Sequence, residues 1–338
     1  MQHSKKITIG VKAMFKKALG KTILAASIGL SAISAQAADI SMEAATAGSV
    51  VGLMPQTMAS HLADKGVNVQ LAMGQTLTKS LLKIANGSLD SSVIPPGAYL
   101  MLKAGKGPYA KMGAEKGAEM ASSVRALYGF PGSTYHAITW ADNGINEWKD
   151  AAGKRVYIGP PAGAANAQIT SLAAAGGLEK DTYEGIKAPW GAAAQAFQDG
   201  QFDVYVGSFP VGSQVVAELS LKRPIRILGI PEGTQPKKGL GMEPATIPAG
   251  TYPDQANTSD SSSFLTLMFM GVNASMSDDL AYTMTKVYME KREQMGKDNR
   301  LLNHLSKYSP FTGVTAPLHP GAIKYFEENG FTVPADLK

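Results

Sequence analysis

Two well-separated stretches of this chain carry the same order of local signals, and that order dictates an α/β sheet. Residues 82–90 (LKIANGSLD) run from a helix through an Asn86-Gly87 cap to Asp90, then into an apolar strand and the turn Ile94-Pro95-Pro96-Gly97. Residues 194–203 (AQAFQDGQFD) repeat it with Asp199-Gly200 and Asp203, followed by a strand over 204–206 and the loop Gly207-Ser208-Phe209-Pro210. A glycine just past the last turn ends a helix because it accepts left-handed backbone at no steric cost. Around the first unit the pattern is extended over 40–46, helical over 55–65, extended over 67–72 and helical over 77–85. In the last of these Leu77, Leu81 and Ile84 share one face. The rhythm predicts an α/β sheet. Two copies that each end in a Gly/Pro loop at the carboxyl end of a strand predict facing walls of a cleft, the edge where open α/β sheets hold ligands.

The strand-like hydrophobic runs at 135–141 and 262–272 predict two crossings between lobes. One lobe then comprises residues 38–136 and 262–338, and the other residues 137–261. Residues 103–121, rich in Gly, Lys and Ala, predict a weakly helical surface excursion, and residues 233–258, rich in Pro, Gly and Thr, a loop. Ser277 is placed to cap a helix that packs through Leu280, Met284 and Val287.

The first 37 residues read as a secretory signal: a basic region with six lysines and no acid, an apolar run over 22–34, and the cleavage motif Ala35-Gln36-Ala37. The apolar run is shorter than the roughly 20 residues that span a bilayer. Cleavage after Ala37 leaves 26 basic and 27 acidic side chains, a formal charge of −1. The basic balance of the whole chain therefore belongs to the signal, and gives no reason to expect nucleic acid as a partner. The chain has no cysteine, which excludes disulfides and thiolate metal sites and suits an oxidising periplasm.

Catalytic patterns are missing from the sequence. His61, His136, His304 and His319 have no metal-site spacing, and no nucleophile elbow, phosphate loop or dinucleotide fingerprint occurs. His136 reads as a structural histidine, His319 as a turn or cap residue, and Asp90 and Asp203 as acceptors for backbone N–H groups. Binding has better candidates. Residues 153–166 (GKRVYIGPPAGAAN) form a short strand, a Gly/Pro loop and a helix start, which aims free N–H groups and a positive helix end into one space. Gly48 and Gly74 sit in two similar strand-to-helix turns. Tyr128, Trp190 and Phe209 are candidates for apolar walls. No cofactor is called for.

Three segments carry a family resemblance: residues 141–178 (ADNGINEWKDAAGKRVYIGPPAGAANAQITSLAAAGGL), 196–212 (AFQDGQFDVYVGSFPVG) and 318–330 (LHPGAIKYFEENG). In order and spacing they resemble the TAXI-type solute receptors of tripartite ATP-independent periplasmic (TRAP) transporters. The resemblance implies a two-lobed periplasmic binding protein fold, type II-like, with lobes joined by two hinge strands. It implies capture of a small organic anion, a carboxylate or acidic amino acid, and delivery to TRAP-type membrane permease subunits. The implied ligand residues are Thr46, Gly48 and Ser49; Gly74, Gln75 and Thr76; Gly159, Pro161, Gly163 and Asn166; and Gly207, Ser208 and Phe209, while Pro96, which stands where the family has polar residues, Tyr128 and Trp190 are candidates beside them. Ala162-Gly163-Ala164-Ala165 stands where the family commonly has Gly-Ser-Gly-Thr, so two hydroxyl donors are missing and a larger or less polar carboxylate is expected. The competing readings are a receptor of this fold for an ATP-driven importer or sensor kinase, a periplasmic enzyme with an unfamiliar site, and a protein-binding scaffold without a small ligand.

Overall fold

A computed structural model describes residues 38–338; the predicted secretory signal lies outside the described residues. The chain begins with β1 (Ala38–Glu43), α1 (Val50–Ala63), β2 (Val67–Ala72), α2 (Leu77–Ala85), β3 (Ser91–Ile94), α3 (Pro96–Lys103), α4 (Gly113–Ser122) and the long β4 (Val124–Trp140). It continues through β5 (Arg155–Tyr157), α5 (Ala165–Ala175), β6 (Glu184–Ile186), α6 (Trp190–Gln198), β7 (Val204–Phe209), α7 (Gln214–Lys222) and β8 (Ile225–Ile227). The end of the chain adds β9 (Met242–Ile247), the long β10 (Ser261–Asn273), α8 (Asp278–Asp298) and α9 (Pro320–Glu328).

The strands form one mixed sheet in the order β2-β1-β3-β10-β4-β7-β5-β6, with β8 on β4 and β9 on β10. It contains two parallel triplets, β2-β1-β3 and β6-β5-β7, each closed by a long antiparallel strand. The repeated sequence unit accounts for this symmetry. In the first triplet Asp90 Oδ2 accepts from the Ser41 backbone N–H at 2.8 Å. In the second, Asp203 Oδ2 accepts from the Arg155 N–H at 2.9 Å. Each aspartate ties the start of the third strand to the first strand of its triplet, so the two copies do the same structural task.

The long strands β4 and β10 belong to both halves. Residues 124–131 of β4 pair with β10, whereas residues 134–138 pair with β7. Residues 269–272 of β10 pair with β3, whereas 261–266 pair with β9. The apolar cores divide in the same way. One is built from residues 40–130 and 268–337, with Phe130, Phe269, Tyr288 and Phe326 inside; only Ala164 joins it from elsewhere. Two further clusters lie within residues 135–264, around Trp148 and Val206 and around Phe197 and Tyr205. Burying one such side chain contributes about 1.5–3 kcal/mol, so each half has its own reason to fold. The result is two α/β lobes that share one sheet.

Three expectations change. Residues 207–209, read as a loop, continue β7 and pair with His136, Tyr135 and Thr134 of β4. Residues 233–258 are not all loop, because Met242–Ile247 pairs with Ser261–Thr266 as β9. Pro244 masks the strand in the sequence and is tolerated because β9 lies at an edge. The excursion at 103–121 is more regular than weak helix propensity implies: a 3₁₀ turn (Gly107–Met112) leads directly into α4.

Candidate functional site

A cavity of about 100 Å³ lies between the lobes. The segments after β1, β2 and β3 contribute Thr46 and Ser49, Gln75 to Thr78, and Pro95, respectively. From the other lobe, the segments after β5 and β6 and the end of β7 contribute Pro160, Gly163 to Ala165, Trp190, Ser208 and Phe209. All of these lie at or beyond the carboxyl ends of parallel strands, as the duplicated unit predicts. The crossing strands complete the wall with Tyr135, Thr266 and Met268.

Helix starts dominate this wall. Ser49 and Val51 open α1, Thr76 to Thr78 open α2, Pro95 caps α3, Ala164 and Ala165 open α5, and Trp190 opens α6. The α1 start is satisfied from the crossing strand, where Ser133 Oγ accepts from the Val50 N–H at 3.0 Å. The next N–H groups are left over. Among the described residues, those of Val51, Leu77, Thr78 and Ala165 have no acceptor. N–H groups and helix dipoles directed at one space favour negative charge there.

No lining side chain is charged. The polar side chains divide into braced and free. Tyr135 donates to Gln168 Oε1 at 2.7 Å, and Gln168 Nε2 donates to the Leu240 carbonyl at 2.7 Å. Thr266 Oγ1 accepts from the Ser133 N–H and donates to the Ser133 carbonyl, both at 3.1 Å. Ser49 Oγ donates to the Thr46 carbonyl at 2.8 Å. By contrast, the hydroxyls of Thr46, Thr76, Tyr205 and Ser208 have no partner among the described residues. Tyr205 is 2% exposed, and burial holds its phenol well above the usual range, so it keeps its proton and can donate.

Eight residues named from the sequence line the cavity: Thr46, Ser49, Gln75, Thr76, Gly163, Trp190, Ser208 and Phe209. The others lie elsewhere. Gly48 is exposed and faces Val215 of α7, 3.5 Å from where a Cβ would stand. Gly74 makes an exposed turn at φ 74°, Pro96 is buried at the start of α3, and Pro161 is exposed. Gly207 lies in β7 beneath the Phe209 ring. Gly159 is buried behind the wall with φ 96°, a conformation that requires glycine. Asn166 does not point a free amide at the cavity. Its Nδ2 donates to the Ile158 carbonyl at 2.6 Å and the Pro160 carbonyl at 3.2 Å, which braces the loop. Tyr128 is a core residue, fully buried and stacked on Tyr288 at 3.9 Å between centroids.

The lining residues not identified from the sequence include Tyr135, Gln168, Tyr205, Thr266 and Met268. Tyr205 was within reach, because it belongs to the strand of the second repeat unit. Thr266 and Met268 sit in an apolar run that carries no local sign of facing a cleft.

His136 and His319, like Asp90 and Asp203, have structural contacts. His136 is fully buried, with Nδ1 3.0 Å from the Thr134 carbonyl and Nε2 2.8 Å from the Tyr252 hydroxyl. His319 caps α9 by accepting from the Gly321 N–H at 3.2 Å. Among the described residues no group of His, Asp or Glu is arranged to hold a metal ion, and no helix is long and apolar enough to cross a membrane.

One polar bond crosses the cavity rim. Thr78 Oγ1 donates at 3.1 Å to the carbonyl of Ala162, whose φ of 59° is unusual for a residue with a Cβ. A neutral hydrogen bond contributes about 0.5–1.5 kcal/mol. Thr78→Val should therefore weaken ligand affinity by roughly three- to tenfold with the secondary structure intact. Titration calorimetry beside circular dichroism checks this, and unchanged affinity would remove the bond from the closing contacts.

A family model described as the NMT1-like family matches residues 56–330. Among solved structures, the alkanesulfonate-binding protein SsuA from Xanthomonas axonopodis pv. citri, bound to MOPS, is 14% identical at a TM-score of 0.48. That match covers 88% of this chain and 92% of SsuA. DctP7 of Bordetella pertussis, an extracytoplasmic solute receptor binding pyroglutamic acid, is 12% identical at 0.46, covering 86% and 91%. A TRAP periplasmic solute-binding protein from Sulfitobacter sp. NAS-14.1 with bound β-D-galacturonate is 9% identical at 0.48, covering 87% and 88%.

Proposed function

The chain belongs to the NMT1-like family, and on that premise we propose that it is an extracytoplasmic solute receptor that captures a small organic anion between its lobes. The observation that carries this reading is the cavity itself: both lobes line it, several helix starts meet there, and no charged side chain enters it. Such a site is suited to holding one anion through N–H groups and hydroxyls, since hydrogen bonds to an ionised acceptor are stronger than neutral ones. Both lobes supply donors, so a bound anion favours the closed arrangement and shifts the population toward it. The lobe division at residues 136/137 and 261/262 belongs to the same proposal. So do a periplasmic location, supported by the signal pattern in residues 1–37, and a TRAP-type permease as the partner that accepts the closed form. The TAXI-type assignment is supported by the three segments quoted above.

The test is a thermal-shift screen of the purified protein against carboxylates, amino acids, sugars and phosphate. A ligand at a hundredfold excess over its Kd adds about 2.7 kcal/mol to native stability. Organic anions should raise Tm, whereas sugars and phosphate should leave it unchanged. A shift produced by sugars alone would overturn the proposal. Turnover of a solute that is lost on substitution of His136 or His319 would replace a receptor with an enzyme.

A further inference from the structure

Resting on the receptor reading above, we propose that the cavity selects a short aliphatic monocarboxylate of about four to six non-hydrogen atoms and rejects the matching α-amino acid. Size comes first. A dry apolar cavity of about 150 Å³ holds benzene, and this one measures about 100 Å³. The loss of hydroxyls predicted from residues 162–165 is present as a wall of Gly163, Ala164 and Ala165. The space beside it suits a less polar ligand, and its small volume favours a short acid over the larger one that the sequence led us to expect.

Charge supplies the second half. The cavity offers a carboxylate the free N–H groups of Leu77, Thr78 and Ala165. It also offers the hydroxyl of Tyr205, a residue 2% exposed that lines the cavity and whose hydroxyl has no partner among the described residues. An α-ammonium finds no acid on the wall. Glu43, the buried acid of the first lobe, lines a different hollow and is engaged by Ser80 at 2.6 Å and Lys83 at 2.5 Å. The hollow adjoining the cavity through Ala164 and Gln168 contains Lys106, a second positive charge rather than a counter-ion for an ammonium. Burying an unpaired cation is strongly unfavourable, whereas the aliphatic chain of the acid rests on Trp190, Phe209 and Met268.

Butyrate, butyramide, L-2-aminobutyrate and octanoate, titrated into the purified protein by calorimetry, separate these terms. Butyrate should bind at least tenfold tighter than each of the other three. Tyr205→Phe should weaken butyrate about tenfold and butyramide little. Equal or tighter binding of 2-aminobutyrate overturns the charge rule, and equal or tighter binding of octanoate overturns the size rule. If none of the four binds but another organic anion raises Tm, this selectivity is wrong and the receptor reading stands. If nothing in either panel binds, even after denaturation and refolding to strip a resident ligand, the receptor reading fails with it.

Discussion

Gly132→Ala should lower the unfolding free energy by about 3–5 kcal/mol. Gly132 lies where β4 passes from one lobe to the other, between its pairing with β10 and its pairing with β7. A Cβ there would overlap Thr266 Oγ1 and lie 3.2 Å from the Thr266 carbonyl and 3.3 Å from Met268 Cγ. Thr266 Oγ1 is the group that closes both hydrogen bonds to the Ser133 backbone. Displacing it loses about 1 kcal/mol for each bond and adds about 1–3 kcal/mol of overpacking. The damage reaches the cavity, because Thr266 and Met268 line it and Ser133 caps the first N–H of α1. Urea unfolding measures the loss. Gly191→Ala is the control: nothing lies within 4 Å of its Cβ position in α6, so it should be neutral or slightly stabilising. A Gly132→Ala variant within 0.5 kcal/mol of the parent, on the scale of an ordinary surface change, would show that the crossing is not tightly packed.

Acidification should cost the protein about 3 kcal/mol between pH 6.5 and pH 4 through one side chain. Burial lowers the pKa of His136 from 6.5 to about 4, against the opposing pull of the Thr134 carbonyl. The sign follows from proton binding. In this window the unfolded chain takes up a proton that the folded chain refuses, so stability falls as pH falls and levels off once the folded residue also protonates. The groups facing His136 are the Thr134 carbonyl, the Tyr252 hydroxyl and the Phe209 ring at 5.9 Å. Tyr252 also accepts from the Gly212 N–H at 3.1 Å, so the proton would enter the contacts that hold the end of β7 against the crossing strand. His304 and His319 are lowered as well, chiefly by burial, and act in the same direction. Comparing urea unfolding of the parent and His136→Gln from pH 7 to pH 4 isolates the term. The variant should lose the steeper part of the slope, and parallel curves would assign the acid sensitivity to other groups.

The local elements of the fold are legible in the residues. The bounds of α2 follow from its one-sided Leu77, Leu81 and Ile84 and its Asn86-Gly87 end. The predicted roles of Asp90 and Asp203 as backbone acceptors are seen in the hydrogen bonds to Ser41 and Arg155. The strand-to-helix turns announce the cavity because a helix start is a property of adjacent residues. The crossing strands hide their part in it. From Val124 to Trp140 almost every residue of β4 is buried on both faces, so alternation, the one local cue to direction, is erased. Tyr128 and Tyr135 look alike in the sequence, yet one is stacked in a core and the other faces the cavity.

The α/β rhythm, the duplicated unit, the loops that carry the helix starts and the near-neutral charge of residues 38–338 can be read from the residues alone. These depend on periodicity, capping and composition, which act over a few residues. Folding of the whole chain is what sets which tyrosines meet the cavity, that Asn166 braces its own loop, that the Thr266 hydroxyl locks the crossing, and that the space is small and free of charged side chains. Those outcomes depend on contacts among segments far apart in the chain, whose side-chain directions are set by how β4 and β10 exchange partners between the lobes.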